Sequence, residues 1–150
     1  MKKIKKALIS VSDKQNLKYI LKTLSKYKIE LISSGGTYKE INKLKFKCIE
    51  ISKYTESPEI LGGRVKTLHP KIHAGILNKR SNKIHQKEIK QNNFENIDLV
   101  IVNFYPFEKT LEKTNNHNKI IENIDIGGPT MVRAAAKNYN DVAVITDPIQ

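Results

Sequence analysis

The stretch KKALISVSDKQNLKYILKTL, residues 5–24, joins a short apolar run, a polar turn and a periodic apolar pattern. Residues 5–11 are mostly apolar and are bounded by turn residues, which predicts a buried strand. The next four residues have the S-x-x-Q form of a capping box, which favours the start of a helix. Leucine and isoleucine then recur at helical spacing, at positions 17, 20, 21 and 24. The stretch therefore predicts a strand, a loop and a helix.

The stretch ELISSGGTYKEINKL, residues 30–44, repeats this order. It predicts a second strand, a turn and a second helix, with Thr37 and Glu40 as another capping box. Two successive strand–loop–helix units predict a parallel sheet with helical crossovers, an α/β fold with helices on both faces in a Rossmann-like three-layer arrangement. Pro129 suits the first position of the last helix. The remaining strands are predicted over 47–51, 97–103 and 141–146, and the remaining helices over 81–92, 108–123 with a break near 115–116, and 131–138.

Composition indicates one soluble globular domain. The chain has 150 residues, of which 39% are hydrophobic and 28% charged. It has no apolar run of the about 20 residues that a membrane span needs. The basic N-terminus is followed by an apolar run that ends at Ser12, without a cleavage site, so we interpret it as a strand and not a signal peptide. Cys48 is the only cysteine, which excludes an internal disulfide and favours a cytoplasmic location.

The net charge of +12 suggests two classes of ligand. A nucleic-acid partner is one, because basic proteins bind phosphate backbones. The lysines are scattered, however, and the sequence has no helix-turn-helix, zinc-finger or aromatic RNA-binding motif. A positive field would equally attract a small phosphorylated substrate.

The seven glycines fall in only four places, namely 35–36, 62–63, 75 and 127–128. Glycine is expected where the backbone takes a positive φ or approaches a ligand closely. The stretch GGRVKTLHPKIHAGIL, residues 62–77, lacks helical or strand periodicity, and Pro70 argues against a continuous helix through His69. We interpret it as an irregular loop that holds an anion, with a solvated basic loop as the alternative. Three glycine pairs predict several loops meeting at one site.

Other candidate groups lie at predicted strand ends. SSGGT, residues 33–37, precedes a helix whose free N–H groups and dipole favour phosphate, although a plain capped turn would show the same residues. Tyr105 follows the strand over 97–103, where open α/β sheets place ligands, and is either a phenol donor or a core aromatic. His69 and His73 are four apart, but Pro70 lies between them and no carboxylate cluster is near, so a metal site is disfavoured.

Five motifs resemble one family in order and spacing. They are ALISVSDK (7–14), SSGGT (33–37), GGRVKTLHPKIHAGIL (62–77), VNFYPF (102–107) and ENIDIGGPTMVRAAAKN (122–138). The family is the N-terminal inosine monophosphate cyclohydrolase domain of the bifunctional purine-biosynthesis protein, whose other domain is an aminoimidazole-carboxamide-ribotide transformylase. The resemblance covers essentially residues 1–150. Ser34 replaces the usual Thr and Ala74 a frequent Gly. The transformylase domain is absent and the family's cyclohydrolase domain runs past residue 150, so we expect a domain truncated at its C-terminus.

The resemblance implies a methylglyoxal-synthase-like fold and closure of 5-formamidoimidazole-4-carboxamide ribotide to inosine monophosphate with loss of water, the last step of de novo purine biosynthesis. It implies no metal and no organic cofactor. The expected partner is a small purine ribotide, and we expect no specific nucleic acid, no membrane and a homodimer. By resemblance, Lys66 and Tyr105 belong near the formyl oxygen and Asp125 and Lys137 near the carboxamide. The matching phosphate- and nucleotide-binding positions are Ser10, Ser12, Lys14, Ser34, Gly35, Gly36, Thr37, Arg64, Thr67, Asn103 and Gly127.

Two other activities are found on the same fold. A regulatory module, like the effector domain of carbamoyl-phosphate synthetase, would keep the SSGGT-type phosphate loop. It would not need Lys66, Tyr105, Asp125 and Lys137 together. A methylglyoxal synthase would place an aspartate base against a triose phosphate, and the motifs of that family are not found in this sequence.

Overall fold

A computed structural model describes residues 3–147 and residue 150. Its centre is a five-stranded sheet in which every pair of neighbours is parallel, with the strand order β3-β2-β1-β4-β5. This confirms the parallel sheet predicted from the two strand–loop–helix units. The strands are β1 (Lys6–Val11), β2 (Glu30–Ser33), β3 (Ile49–Glu50), β4 (Leu99–Asn103) and β5 (Ala143–Ile145).

Eight helices and one 3₁₀ turn connect these strands within the described residues. The helices over 83–91, 107–113 and 117–122 contain no buried residue. They confirm the predicted exposed helix and the predicted break near 115–116. No helix in the described part of the chain is long and apolar enough to cross a membrane. The elements are α1 (Leu17–Lys26), α2 (Gly35–Lys43), α3 (Ile51–Thr55), the 3₁₀ turn Leu61–Gly63, α4 (Pro70–Leu77), α5 (Lys83–Gln91), α6 (Phe107–Lys113), α7 (His117–Glu122) and α8 (Gly127–Lys137).

Side chains of β1 alternate between two hydrophobic clusters, one on each face of the sheet. Leu8 belongs to the cluster that includes residues of α3, α4 and α8, whereas Ile9 belongs to the cluster that includes residues of α1 and α2. The unbroken apolar run of β4 is buried in the same way, as a strand covered on both faces requires. Each fully buried leucine or isoleucine contributes about 1.5–3 kcal/mol. The core therefore fixes the sheet and leaves its carboxyl edge free for the loops.

The register of the parallel strands brings the predicted site segments together. Ile9 lies opposite Ser33 of β2, and Val11 lies opposite Asn103 of β4. The residues that follow β1, β2 and β4 therefore leave the sheet at the same edge.

The stretch 62–77 differs from its predicted irregular structure, because residues 70–77 form α4. Pro70 occupies the first turn, where its missing N–H is not needed, and the ring of His69 caps the helix by accepting a hydrogen bond from the Lys71 N–H, at 3.1 Å. A Cβ atom at Gly75 would lie 2.7 Å from the Glu95 carbonyl oxygen, so glycine allows this helix to pack closely there. The third strand is also shorter than predicted, since α3 begins at Ile51.

The two predicted capping boxes are wrong. Helix α1 begins only at Leu17, after Asn16 in a left-handed conformation, and neither α1 nor α2 has a side-chain cap. Thr37 lies inside α2 and bonds to β1 instead. Helix α8 begins at Gly127, which puts Pro129 at the third helical position and not the first.

Lys6 is buried at the amino edge of the sheet. Its ammonium bonds to the carboxylates of Glu30, at 2.7 Å, and Glu95. Burial alone would lower the pKa of Lys6, but these two hydrogen bonds outweigh burial and the pKa is raised. The cluster links the starts of β1 and β2 to the segment before β4, on the opposite edge from the glycine loops.

Candidate functional site

The ammonium of Lys66 lies between two glycine loops. A Cβ atom at Gly35 would lie 3.3 Å from Lys66 Nζ, and a Cβ atom at Gly63 would lie 3.4 Å from it. Both glycines have a positive φ, of 52° and 88°, which other residues rarely adopt. The glycine pairs therefore leave the space into which this cation extends.

The first turn of α2 lies between two lysines. In the first turn of a helix the backbone N–H groups have no intrahelical partner, and here Gly36 and Thr37 carry such groups at the positive end of the helix dipole. Lys66 lies against Gly35, and a Cβ atom at Gly36 would lie 3.8 Å from Lys14 Nζ. Two ammonium groups that are 52 residues apart in sequence thus converge on one helix N-terminus, which is an arrangement suited to a phosphorylated ligand.

Asn103 holds the turn that carries Lys14. Its Oδ1 accepts hydrogen bonds from the N–H groups of Ser12, at 2.6 Å, and Asp13, at 3.0 Å. Its Nδ2 donates to the Asp13 carbonyl at 2.8 Å. Lys14 Nζ in turn donates to the Ser12 carbonyl at 3.1 Å. Asn103 thus fixes the β1 loop from the neighbouring strand, through bonds that occupy both ends of its amide.

Three predicted phosphate ligands differ in how available their hydroxyls are. Thr37 is buried, and its Oγ1 accepts from the Val11 N–H at 3.0 Å and donates to the Val11 carbonyl at 2.9 Å. Its only hydroxyl proton is therefore used inside the fold. Ser34 is also buried and precedes α2, whereas Ser10 is half-buried on β1. Of Thr37, only the backbone N–H is left for a ligand.

Arg64 and Lys66, the two cations of the segment 64–66, both have carboxylate partners. Arg64 binds Glu122 of α7 through two hydrogen bonds, of 2.6 and 3.3 Å. Lys66 Nζ lies 3.9 Å from Glu59 Oε2. Sequence analysis did not identify either glutamate. Glu122 lies 58 residues from Arg64 and no local pattern joins them.

The third glycine loop contacts the same segment. A Cβ atom at Gly127 would lie 2.5 Å from Thr67 Oγ1, so this residue must lack a side chain for the two loops to touch. Asp125 Oδ1 accepts a hydrogen bond from the Gly128 N–H at 2.9 Å, at the start of α8. This contact brings Asp125 to the same edge of the sheet as Thr67. The prediction that the three glycine loops meet is therefore confirmed.

Tyr105 and Lys137 do not contact the glycine loops through any hydrogen bond between described residues. Tyr105 lies between β4 and α6 with 45% of its surface exposed, and no hydrogen bond among the described residues links it to Lys66. Lys137 is the last residue of α8, about 15 Å along the helix from Gly127. The next residue, Asn138, donates to carbonyls at the end of α4, at 2.8 and 2.9 Å. The structure therefore places Lys137 away from the glycine loops, and its predicted role rests on the resemblance alone.

His73 of α4 contacts the segment that carries Lys66 and Thr67. A hydrogen bond joins it to the Thr67 backbone, while its Nε2 is buried with no hydrogen-bond partner among residues 3–147. Burial lowers the pKa of His73 below the ordinary value of 6.5, against the opposing effect of the Thr67 bond. The described residues contain no cluster of three or more histidine, cysteine or acidic side chains placed to hold a metal ion.

Comparisons with known proteins agree with this fold. Residues 16–130 match the family described as MGS-like domain. The bifunctional purine biosynthesis protein PurH of Prochlorococcus marinus (strain MED4) is 53% identical over 96% of this chain, and that of Ruminiclostridium cellulolyticum is 58% identical over 97%. The chain spans 28% of the length of each of these relatives, at their N-terminus. The crystal structure of ForH is 30% identical, with a TM-score of 0.83, over 98% of this chain and 75% of ForH.

Proposed function

The chain belongs to the family of MGS-like domains, and from this premise we propose that it closes the ring of 5-formamidoimidazole-4-carboxamide ribotide to form inosine monophosphate. One observation carries the proposal, namely the convergence of Lys14 and Lys66 on the first turn of α2. The printed name of the relatives, a bifunctional purine biosynthesis protein, supports a purine ribotide as the substrate.

The ribotide phosphate binds at the first turn of α2. The free backbone N–H groups of this turn and the helix dipole favour a dianion there, and Lys14 adds a charge-assisted hydrogen bond. Arg64 lies on the same loop as Lys66 and supplies a second cation once it leaves Glu122. The side chain of Thr37 takes no part, because Val11 occupies its hydroxyl.

Ring closure needs two protons moved to one oxygen. The carboxamide nitrogen forms a bond to the formyl carbon and loses one proton, while the formyl oxygen gains negative charge and is protonated to a hydroxyl. The formamide nitrogen then loses its proton as the carbon–oxygen bond breaks, which forms the C=N bond of the ring and releases water. The Lys66 ammonium stabilises that oxygen, as a donor placed in advance of the reaction does in other enzymes. The resemblance of VNFYPF (102–107) to the family assigns Tyr105 as the phenol donor to the same oxygen. Asp125, with one oxygen held by the Gly128 N–H, is the group available to accept the carboxamide proton.

Incubation of the purified chain with the formylated ribotide tests this function. We expect the ultraviolet absorbance of inosine monophosphate to grow above the spontaneous rate, and Lys66→Ala to remove most of the increase. Growth at the spontaneous rate alone would refute the proposed reaction and favour a regulatory phosphate-binding module.

Ligand protection tests the phosphate site without turnover. Inosine monophosphate should raise the melting temperature of the chain, because a ligand that binds only the folded state stabilises it. Unphosphorylated inosine should do so far less. Equal protection by the two ligands would argue against phosphate recognition at the first turn of α2.

We propose that the chain forms a homodimer, which sedimentation equilibrium over a range of concentrations would test. We also propose that it has no specific nucleic-acid partner. Excess duplex DNA at physiological salt, where the Debye length is about 8 Å, should leave turnover unchanged. Sequence-selective DNA binding without turnover would reverse that conclusion.

A further inference from the structure

We propose that Glu59 is a positioning residue that holds the Lys66 ammonium in place for ring closure. The inference rests on the proposed function, since it names the group on which the cation of that site depends. Glu59 Oε2 lies 3.9 Å from Lys66 Nζ and would lie 3.5 Å from a Cβ atom at Gly63. The carboxylate therefore lies beside the same glycine that makes room for the ammonium.

The backbone builds this pair. Ile60 and Val65 exchange two hydrogen bonds, from the Ile60 N–H at 3.2 Å and from the Val65 N–H at 3.4 Å, and form an antiparallel bridge. The loop between them contains Gly62 and Gly63, both with positive φ. In an antiparallel pair, the residues next to such a bridge also face one another. Glu59 and Lys66 are those residues, so the hairpin turn places them as neighbours.

Lys66 needs such a partner because its surroundings do not hold it. A lysine side chain carries about 2 kcal/mol of rotamer entropy on a flexible stem. The backbone segments at Gly35 and Gly63 lie against the ammonium and have no side chains that could pack against it. A carboxylate fixed by the hairpin is the group that can restrict where this charge lies.

The pair is more sheltered than the other ion pair of the segment. The side chains of Lys66 and Glu59 are 28% and 32% exposed, whereas those of Arg64 and Glu122 are 62% and 59% exposed. Solvent screens the exposed pair more strongly. We therefore expect a bound phosphate to draw Arg64 away from Glu122, and Glu59 to stay beside Lys66 while substrate is bound.

Glu59→Gln tests the assignment in the turnover assay. We expect kcat to fall by about 10- to 100-fold with KM nearly unchanged, because a catalytic group displaced by about 1 Å can lose that much rate. Glu59→Asp keeps the charge and should retain part of the rate. The matched control is Glu56→Gln, which breaks a 2.9 Å ion pair with Lys71 on the same connection and should leave kcat unchanged. Equal losses in both variants would overturn the proposal.

A double-mutant cycle separates positioning from general stability. In a Lys66→Ala background, Glu59→Gln should cause no further loss of kcat, since the group on which it acts is gone. If the two losses multiply, Glu59 acts elsewhere and the proposal is overturned.

A spectroscopic readout needs no turnover. Reductive ¹³C-methylation labels the lysines, and the Lys66 signal is identified by its absence from Lys66→Ala. In Glu59→Gln, that signal should sharpen and move toward those of the mobile surface lysines, whereas Glu56→Gln should leave it in place. An unchanged signal overturns the pairing. Wild-type protein without turnover refutes the proposed reaction, and a shifted Lys66 signal would then still support the pairing.

Discussion

Thr37→Val distinguishes a structural role of Thr37 from a ligand role. Valine keeps the shape of threonine but removes the hydroxyl, which leaves the N–H and carbonyl of Val11 without their partner. A buried polar group that loses its partner costs about 1–3 kcal/mol. Two such groups together would cost about 2–6 kcal/mol. Because Val11 is the last residue of β1 and lies close to the surface of the core, we expect the lower part of this range, a loss of about 2–4 kcal/mol in the free energy of unfolding. For a chain of this size, that loss lowers the melting temperature by about 4–16 °C.

Thermal and urea unfolding measure this loss, and isothermal titration with inosine monophosphate measures the effect on binding. The affinity of the folded variant should stay within about threefold of wild type, which is under 1 kcal/mol. The matched control is Thr130→Val in α8, whose hydroxyl donates to the Ile126 carbonyl at a solvent-exposed position and should matter little. A stable Thr37→Val with affinity reduced tenfold or more would refute the reasoning and make the hydroxyl a phosphate ligand.

The spacing of apolar residues predicted the sheet and most helices, because that spacing reflects which side of a strand or helix is buried and can be read within a few residues. It did not predict α4. Glycine and proline count against a helix over 70–77, yet Pro70 fits the first turn and Gly75 is required by the approach of the Glu95 carbonyl. That approach involves a residue 20 positions away. Tertiary packing therefore determines this helix, and local helix propensity carries no information about such packing.

The capping boxes failed for a related reason. The Thr37 hydroxyl bonds to Val11, on a neighbouring strand, and not to the start of its own helix. A sequence pattern of four residues cannot include a competitor 26 positions away. The same hydrogen bonds explain why a residue matching a phosphate-binding position offers a ligand only its backbone.

The glycine positions predicted the site better than its charges did. Glycine is sparse in the sequence, and Gly35, Gly63 and Gly127 each lie against Lys66 or Thr67. The carboxylates that pair with the cations had no such signal. Glu122 is distant in sequence, and Glu59 reaches Lys66 through a hairpin of a single bridge, too short to show as alternating strands. Lys137 matches a catalytic position, but the length of α8 separates it from the loops.

Three further changes test other parts of the structure. Lys66→Ala should lower kcat by about 10²–10³, the loss of one preorganised donor, in the turnover assay, and a rise in KM alone would make Lys66 a binding residue. Lys6→Met should lower the free energy of unfolding by about 1–3 kcal/mol without changing kcat, because it removes charge-assisted bonds to Glu30 and Glu95 at the far edge of the sheet. His73 has a lowered pKa, so the unfolded chain binds more protons, and stability should be constant above pH 6.5 and fall below it. Urea unfolding between pH 5 and 8 measures this effect. As the pH falls below 6.5, the free energy of unfolding should decrease by up to about 1.4 kcal/mol per pH unit because of this group. His73→Asn keeps a donor for the Thr67 backbone but cannot take up the proton, so a variant that retains the full decrease would show that His73 is not its source.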